Sequence, residues 1–412
     1  MPPPPMVPNP RWLDLWRSAR WPARALFLAL AALFVARAAY EPQGACDLGG
    51  FLDIGDGVLD GRLLRDTFIN SYPPTFSVAM APLSALARVT NRLLVRHLWG
   101  LGQLAALAYF TLGFARLMRL RLSLGAVALA WLCTWRYVVG DLNNQNVSLF
   151  LWALTALALG RAAEGRSAAA GLLLGVGSAL KIMPGFAAVA LVEPRAPRRG
   201  SIVAAFAAGA LLAVAVTMLV LGPRFGEAMR FWLGRIVPSF GGPWPGNQGW
   251  NGLFQRLAGP GMPPPRLLAT AVGLLVLGGL TAWLFLRPAA SPRVRALDAA
   301  LAILAGLPAL PIAWFHYYTA AIPVALAVAA SWTRLEQGPR RTAGGLLAAG
   351  TLLGAFLDVD VVGAKAWAFA ARYGNALFGA LLVLAAGLVL RAAWRREDAE
   401  GGESRGELSG TP

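Results

Sequence analysis

The sequence is poor in the side chains that build disulfides and metal centres. Its 412 residues include two cysteines, Cys46 and Cys133, and two histidines, His97 and His316. One pair of cysteines gives no disulfide framework, and neither cysteine has the spacing of a zinc ligand. Two histidines leave little material for a transition-metal site. We therefore predict neither a disulfide-stabilised fold nor a metal centre.

Charged residues are also scarce. They make up 14% of the chain, whereas soluble domains carry about 25%. Hydrophobic residues make up 57%, and the mean hydropathy is +0.57. This balance predicts an all-α polytopic membrane protein, because a backbone in lipid must satisfy its hydrogen bonds within helices. The net charge of +17 comes mostly from arginines at the ends of apolar runs. Membrane topology explains them, so we expect the lipid bilayer as a partner and no nucleic acid.

Apolar runs predict about 11–13 transmembrane helices within residues 25–392. The runs are Ala25–Tyr40, Phe76–Thr90, Leu98–Leu117, Leu122–Val139, Val147–Leu159, Ala168–Val192, Ile202–Leu221, Leu267–Leu286, Ala296–Ile312, Tyr317–Ser331, Ala343–Phe356 and Ala376–Leu390. The run Ala168–Val192 should be a hairpin broken at Lys181–Pro184, because proline disfavours helix at the preceding residue. Residues 1–24 are predicted to be a cytoplasmic segment before an uncleaved first helix. Residues 393–412, charged and rich in glycine, are predicted to be a disordered cytoplasmic tail.

Arginine clusters determine the predicted orientation, because cytoplasmic loops carry an excess of basic residues. The clusters assigned to the cytoplasm are 116–121, 161–166, 195–199, 287–295, 334–341 and 391–396. The loops 41–74 and 222–266 then lie on the extracytoplasmic face. Phe76–Thr90 fits this topology as an interfacial or re-entrant segment, since Arg88 and Arg92 stand at its end; a short full span is the alternative.

The first extracytoplasmic loop collects carboxylates in a chain with few of them. Five aspartates fall between Cys46 and Phe76: Asp47, Asp53, Asp56, Asp60 and Asp66. We interpret the loop as the floor of an active site at the bilayer surface, with Asp47 as the general base. The rigid turn Tyr72–Pro74 would close it. In the simpler alternative, Asp47 caps a helix within the loop.

Further polar side chains fall on the same predicted face. They are Tyr72, Asn144, Gln145, Asn146, Lys181, Asn247, Gln248, Trp250, Arg256, His316 and Tyr317. The cations Lys181, Arg256 and His316 suit a phosphate leaving group. The amide and aromatic side chains suit sugar hydroxyls and ring faces. Simpler interpretations stay open: Lys181 could snorkel to lipid headgroups, His316 could be an interfacial histidine, and the asparagine-rich run could be an ordinary turn.

These motifs, in this order, resemble bacterial polyprenol-phosphate-mannose-dependent mannosyltransferases of glycosyltransferase family 87. The segments that carry the likeness are Asp47–Gly61, Tyr72–Pro74, Asn144–Asn146, Gly171–Pro184, Asn247–Arg256 and His316–Tyr317. The sequence departs from the family pattern at Leu48, at Gly249 and in its version of the Gly-Gln-x-Asn motif. The resemblance implies a GT-C fold, a catalytic acid in the first extracytoplasmic loop and a lipid-linked sugar donor. It also implies no nucleotide-sugar pocket, no obligatory metal and no cofactor.

We therefore predict a glycosyltransferase of the bacterial inner membrane whose active site faces the periplasm. It would transfer a hexose, mannose by the resemblance, from polyprenyl phosphate to a hydroxyl of a glycolipid or glycan acceptor, with inversion. Asp47 would be the base, and Lys181, Arg256 and His316 would hold the donor phosphate. One alternative is a transporter or flippase of lipid-linked saccharides, against which the sequence shows no inverted repeat. Another is a non-catalytic partner in envelope assembly.

Overall fold

The structure is a computed structural model that describes residues 12–39, 46–62, 72–196, 198–239, 242–259 and 265–407. Helices form nearly all of this part of the chain, which contains no β-strand beyond an isolated antiparallel bridge between Asn247 and Trp314. The predicted all-α polytopic architecture is confirmed. Asp66 of the first loop and residues 408–412 lie outside the described residues.

Nineteen α-helices and several short 3₁₀ and π segments lie within the described residues. The α-helices are α1 (Trp12–Ser18), α2 (Trp21–Ala39), α3 (Asp47–Leu59), α4 (Pro74–Val89), α5 (Arg92–Leu117), α6 (Leu124–Asn144), α7 (Ser148–Ala163), α8 (Ser167–Leu180), α9 (Ala188–Leu191), α10 (Arg199–Leu221), α11 (Phe225–Phe231), α12 (Val237–Ser239), α13 (Trp250–Ala258), α14 (Arg266–Leu286), α15 (Pro292–Gly306), α16 (Ile322–Ser331), α17 (Gln337–Thr351), α18 (Val359–Arg372) and α19 (Asn375–Glu407). The 3₁₀ segments are Met183–Ala187, Gly222–Arg224, Leu307–Ala309 and Phe315–Ala321, and the π segments are Trp232–Ile236 and Leu352–Phe356.

Fewer helices than predicted are long and apolar enough to cross a bilayer. In the described ranges five qualify, or up to seven if each of two sharply bent helix pairs forms one span. The difference arises because several apolar runs fold as short helices: α8 has 14 residues and α16 has 10. At a rise of 1.5 Å per residue, a helix as long as α8 covers about 21 Å of a hydrocarbon core about 30 Å thick.

Two breaks in the helices bring loop residues together. The predicted break in Ala168–Val192 is confirmed: α8 ends at Leu180, Lys181 is extended, and a 3₁₀ turn starts at Met183. Between α6 and α7 the chain bends by 115°. Gln145 makes this bend in the left-handed conformation, with φ of 50°. Both helices therefore end at polar residues, Lys181 in one case and Gln145 and Asn146 in the other.

The last helix continues through most of the predicted disordered tail. α19 extends to Glu407, so the structure has helix where the sequence predicts a disordered tail from residue 393. Ala393 and Trp394 are buried. Arg293 also forms ion pairs with Glu397 at 3.0 Å and Asp398 at 2.6 Å. Packing and these contacts hold a charged sequence in a helix that its composition alone would not stabilise.

Basic clusters that are distant in the sequence meet at one end of the bundle. Arg391 and Arg395 both donate to the carbonyl of Arg287 at 2.6 Å. Arg391 also forms a buried ion pair with Asp298, and Arg295 binds Glu193 at 3.0 Å. The 287–295 and 391–396 segments therefore contact each other, and their assignment to the cytoplasmic face stays a prediction.

The acidic residues of the first loop mostly serve to join helices. On α3, Asp56 binds Arg88 of α4 at 2.7 Å and Arg92 of α5 at 3.0 Å. Asp53 binds Arg92, and Asp60 binds Arg88. These exposed pairs each contribute little to stability. They nevertheless explain why acidic residues are concentrated on α3, and no ligand-binding role is needed for Asp53, Asp56 or Asp60. Asp47, at the other end of α3, lies apart from them.

Candidate functional site

One network of polar side chains lies where α3, the α6–α7 bend and the end of α8 meet. Asn146 is its centre: its Nδ2 donates to Asp47 Oδ2 at 2.5 Å and to the hydroxyl of Tyr72 at 3.1 Å. Its Oδ1 accepts from Lys181 Nζ at 3.3 Å and from Ser148 Oγ at 2.7 Å. Lys181 also donates to the Tyr72 hydroxyl at 2.9 Å. One buried amide therefore joins a carboxylate to an ammonium group.

Local backbone structure places each member of this network. Asp47 is the first residue of α3, and the Sγ of Cys46 caps that helix by accepting the amide of Gly49 at 3.4 Å. The same Sγ lies 3.3 Å from Gln145 Oε1, which ties the start of α3 to the α6–α7 bend. The hydroxyl of Thr75, at the start of α4, donates to the carbonyl of Ala179, two residues before Lys181. Both the loop and the broken helix are thus fastened close to Asn146.

Lys181 is enclosed by aromatic rings as well as by hydrogen-bond acceptors. Its Nζ lies 3.9 Å from the ring centroid of Tyr317 and 4.7 Å from that of Tyr72. Such cation–π contacts stabilise the charged amine. Burial has a larger and opposite effect and lowers the pKa of Lys181 to about 7, against the pull of Asp47 and Asp141. A lysine with this pKa changes its charge near neutral pH.

Asp47 is a partly exposed carboxyl whose pKa differs from that of an ordinary surface aspartate. Burial raises the pKa of its carboxyl above the ordinary value, partly offset by the hydrogen bond from Asn146 and by Lys181. The side chain keeps partial exposure, unlike its buried neighbours Cys46 and Leu48. A raised pKa brings a carboxylate closer to the working range of a general base.

His316 lies beside this network and has no hydrogen bond to it. Its side chain is 3% exposed, and within the described residues neither ring nitrogen has a hydrogen-bond partner. The rings of Phe315 and Tyr317 pack edge-on against it, with centroids 5.5 and 4.9 Å away. A buried imidazole with two free nitrogens has the capacity to bind a ligand group.

Asn247, Gln248 and Arg256 form a second cluster that binds mainly backbone. Asn247 Oδ1 accepts the amide of Ala313 at 3.1 Å. Gln248 binds the carbonyls of Pro245 and Ala371, and its own oxygen accepts from Ala376. Arg256 donates to the carbonyls of three residues, Trp244, Asn247 and Arg372, at 2.6–3.2 Å. These side chains fix α13, α18 and the 313–316 segment relative to one another.

The side chains of Asn144 and Trp250 make their described contacts outside both clusters. Asn144 donates to the carbonyl of Gly140, one turn earlier in α6, at 2.7 Å. Trp250 packs in a separate apolar cluster with Leu253 and Ala269. The structure therefore brings Asp47, Tyr72, Asn146, Lys181 and Tyr317 together, but does not bring Asn144 or Trp250 to them. Their predicted role in sugar binding stays a prediction.

Residues 68–311 match the model of glycosyltransferase family 87, over more than half of the chain. The chain belongs to glycosyltransferase family 87. It is a membrane glycosyltransferase. No curated protein and no solved structure matches it.

The family match covers only part of the candidate site. Tyr72, Asn146 and Lys181 lie inside the matched residues, whereas Asp47 and the His316–Tyr317 pair lie outside them. The structure connects the two groups, since Asp47 is hydrogen-bonded to Asn146 and Tyr317 lies against Lys181. The site is continuous across the boundary of the match.

Two buried residues of the glycosyltransferase were not among the predicted site residues. Gln103, from the middle of α5, donates to the carbonyl of Asn146 at 2.9 Å and to Asp141 Oδ1 at 3.3 Å. Asp141 is fully buried. A single glutamine inside the apolar run Leu98–Leu117 was a detectable signal, because polar groups within membrane helices are costly and usually have a use. Asp141 belongs to the polar run at the end of α6, in which two neighbouring asparagines and Gln145 were selected as site residues instead.

We expect Arg256→Lys to weaken the fold of the glycosyltransferase more than its affinity for substrate. Lysine keeps the charge but cannot reach three carbonyls with one planar group. Losing such bonds should cost on the order of 3 kcal/mol, seen as a lower unfolding temperature in detergent. Arg266→Lys, in an exposed position at the start of α14, is the matched control. Wild-type stability with a strongly raised donor KM would instead favour direct phosphate binding by Arg256.

Proposed function

We propose that this family 87 enzyme transfers a hexose, mannose in the simplest case, from polyprenyl phosphate to an acceptor hydroxyl at the extracytoplasmic face of a bacterial inner membrane. The observation that carries the proposal is the single network in which Asn146 contacts both Asp47 and Lys181. A carboxylate and a cation held together in a partly enclosed site suit a displacement with a base on one side and an anionic leaving group on the other.

Each step of the proposed reaction uses a group of this site. Asp47 takes the proton of the acceptor hydroxyl while that oxygen forms a bond to the anomeric carbon of the donor. The bond from this carbon to the phosphate oxygen breaks on the opposite face of the sugar, which inverts its configuration. The departing polyprenyl phosphate keeps the electron pair, and its charge is stabilised by Lys181 and by a hydrogen bond that the ring N–H of His316 donates. Asp47 then releases its proton to water.

The direct test is transfer in proteoliposomes that contain the purified full-length enzyme. Mannosyl phosphoryl polyprenol, radiolabelled in the sugar, serves as donor and octyl mannoside as acceptor. We expect label in a dimannoside product together with free polyprenyl phosphate. Label that moves between leaflets on its original carrier would overturn the proposal in favour of a transporter, and transfer only from a nucleotide sugar would overturn the donor.

The rate should depend on pH in a bell-shaped manner. Because the pKa of Asp47 is raised, the base is lost by protonation as the pH falls. Because the pKa of Lys181 is about 7, the phosphate-binding cation is lost as the pH rises through this value. The profile of kcat/KM reports these groups in the free enzyme. Lys181→Arg, which stays charged, should remove the alkaline decline; an unchanged decline would contradict the assignment to Lys181.

A further inference from the structure

The orientation of the His316 ring must come from packing. Its two nitrogens have no hydrogen-bond partner among the described residues, yet the ring is almost fully buried. A hydrogen bond usually fixes the orientation and tautomer of a functional histidine. Here the rings of Trp314, Phe315 and Tyr317 surround it instead. Contacts that hold the Phe315 ring in place therefore also help to orient the imidazole of His316.

Phe315 and His316 pack against one face of α6. Gly140 lies against both: a Cβ added there would be 2.5 Å from the Phe315 ring and 3.2 Å from His316 Cβ. Arg136 lies one turn earlier, on the same face of the helix. Its guanidinium is 5.0 Å from the centroid of the Phe315 ring, within the range of a cation–π contact. The segment thus touches α6 at the glycine and at the arginine.

Acidic residues at the start of α18 hold Arg136 in place. Arg136 forms an ion pair with Asp358, and both side chains are largely buried, at 12% and 6% exposure. Asp360 Oδ2 lies 3.8 Å from the same guanidinium. Asp358 is also the N-cap of α18, accepting the amide of Asp360 at 3.2 Å. A charged residue in the middle of an apolar helix is costly unless it is paired, and this pairing fixes the guanidinium over Phe315.

We propose that Arg136 is a positioning residue for His316: anchored by Asp358, it holds the Phe315 ring, and that ring sets the imidazole beside Lys181. The consequence for catalysis rests on the proposed function, in which His316 receives the donor phosphate. The pair also couples α18 to the site, so movement at the start of that helix would be transmitted to the imidazole. Arg136 itself touches no reacting group.

The proposal can be tested on the histidine ring itself, because the chain has only two histidines. His97 is exposed at the start of α5, so His97→Gln leaves His316 as the single source of histidine signals. In full-length, histidine-labelled protein, Arg136→Gln should shift the carbon-bound ring proton signals of His316 by more than their line widths, because Phe315 changes position. Arg136→Lys should shift them less. Arg88→Gln, which breaks only exposed pairs, should leave them unchanged. Unchanged signals in Arg136→Gln would overturn the proposal.

Kinetics separate the positioning role from the proposed role of His316. With mannosyl phosphoryl polyprenol as donor, Arg136→Gln should raise the donor KM about tenfold and leave the acceptor KM unchanged. Gly140→Ala, whose added methyl group would displace the Phe315 ring directly, should give the same pattern. If the His316 signals shift while the donor KM stays at the wild-type value, positioning by Arg136 is supported and phosphate binding by His316 fails. Equal increases in both KM values, with unshifted signals, would indicate a general loss of structure and overturn the proposal.

Discussion

Replacement of Asp47 by asparagine should lower turnover by about 10²–10⁴-fold, the usual contribution of a general base. Asparagine has nearly the same shape, and its amide oxygen can still accept the hydrogen bond that Asn146 donates to Asp47. The change therefore removes the proton acceptor and little else. Because the proposed donor contacts come from Lys181 and His316, the dissociation constant of the donor should change less than threefold.

The measurement combines single-turnover rates with equilibrium binding of the lipid donor. Asp53→Asn is the matched control, since Asp53 lies on the same helix and, among the described residues, forms an exposed pair with Arg92. The control should retain wild-type turnover. Wild-type turnover in Asp47→Asn would exclude Asp47 as the base, and equal losses in both variants would point to a requirement for the acidity of α3 as a whole.

The contrast between Asp47 and Asp53 shows what the sequence could and could not predict. Both belong to one acidic run, and composition alone does not separate them. The resemblance to family 87 singled out Asp47, and the structure separates it from its neighbours because it begins α3 at the end nearest Asn146. Asp53, Asp56 and Asp60 face the arginines of α4 and α5 instead. Which side chain pairs with a carboxylate depends on the tertiary structure, so a local sequence pattern cannot predict it.

The same limit explains the unexpected surroundings of Arg256 and Gln248. The sequence predicted polar groups on the face that holds the site. It could not show whether their donors go to a ligand or to backbone carbonyls, since the carbonyls of Ala371 and Arg372 come from more than 100 residues away. By contrast, the break at Lys181 was predictable, because proline acts on the residues directly before it.

Lys181→Met should give the second large loss, about 10²–10³-fold in kcat/KM for the lipid donor, the scale of one lost electrostatic contact at a transition state. Methionine is similar in length and fits the faces of Tyr72 and Tyr317, but it provides no charge to the departing phosphate. Removing the ammonium removes a desolvation cost, but it also leaves Asp47 and Asp141 without the cation that faces them, which lowers stability. The unfolding temperature is therefore measured beside kcat/KM, and rates are compared at a temperature at which both proteins are folded.

The chain supplies its own control for this substitution, because Lys181 and Lys365 are its only lysines. Lys365 is exposed on α18, and Lys365→Met should leave kcat/KM within twofold of the wild type. A loss in Lys181→Met no greater than that in Lys365→Met would remove the cation from the proposed mechanism. In a protein whose basic residues are nearly all arginines, a lysine at this position has a physical rationale. A compact ammonium fits between the rings of Tyr72 and Tyr317 and the amide of Asn146. Burial lowers its pKa to about 7, so its protonation depends on the charges of neighbouring groups.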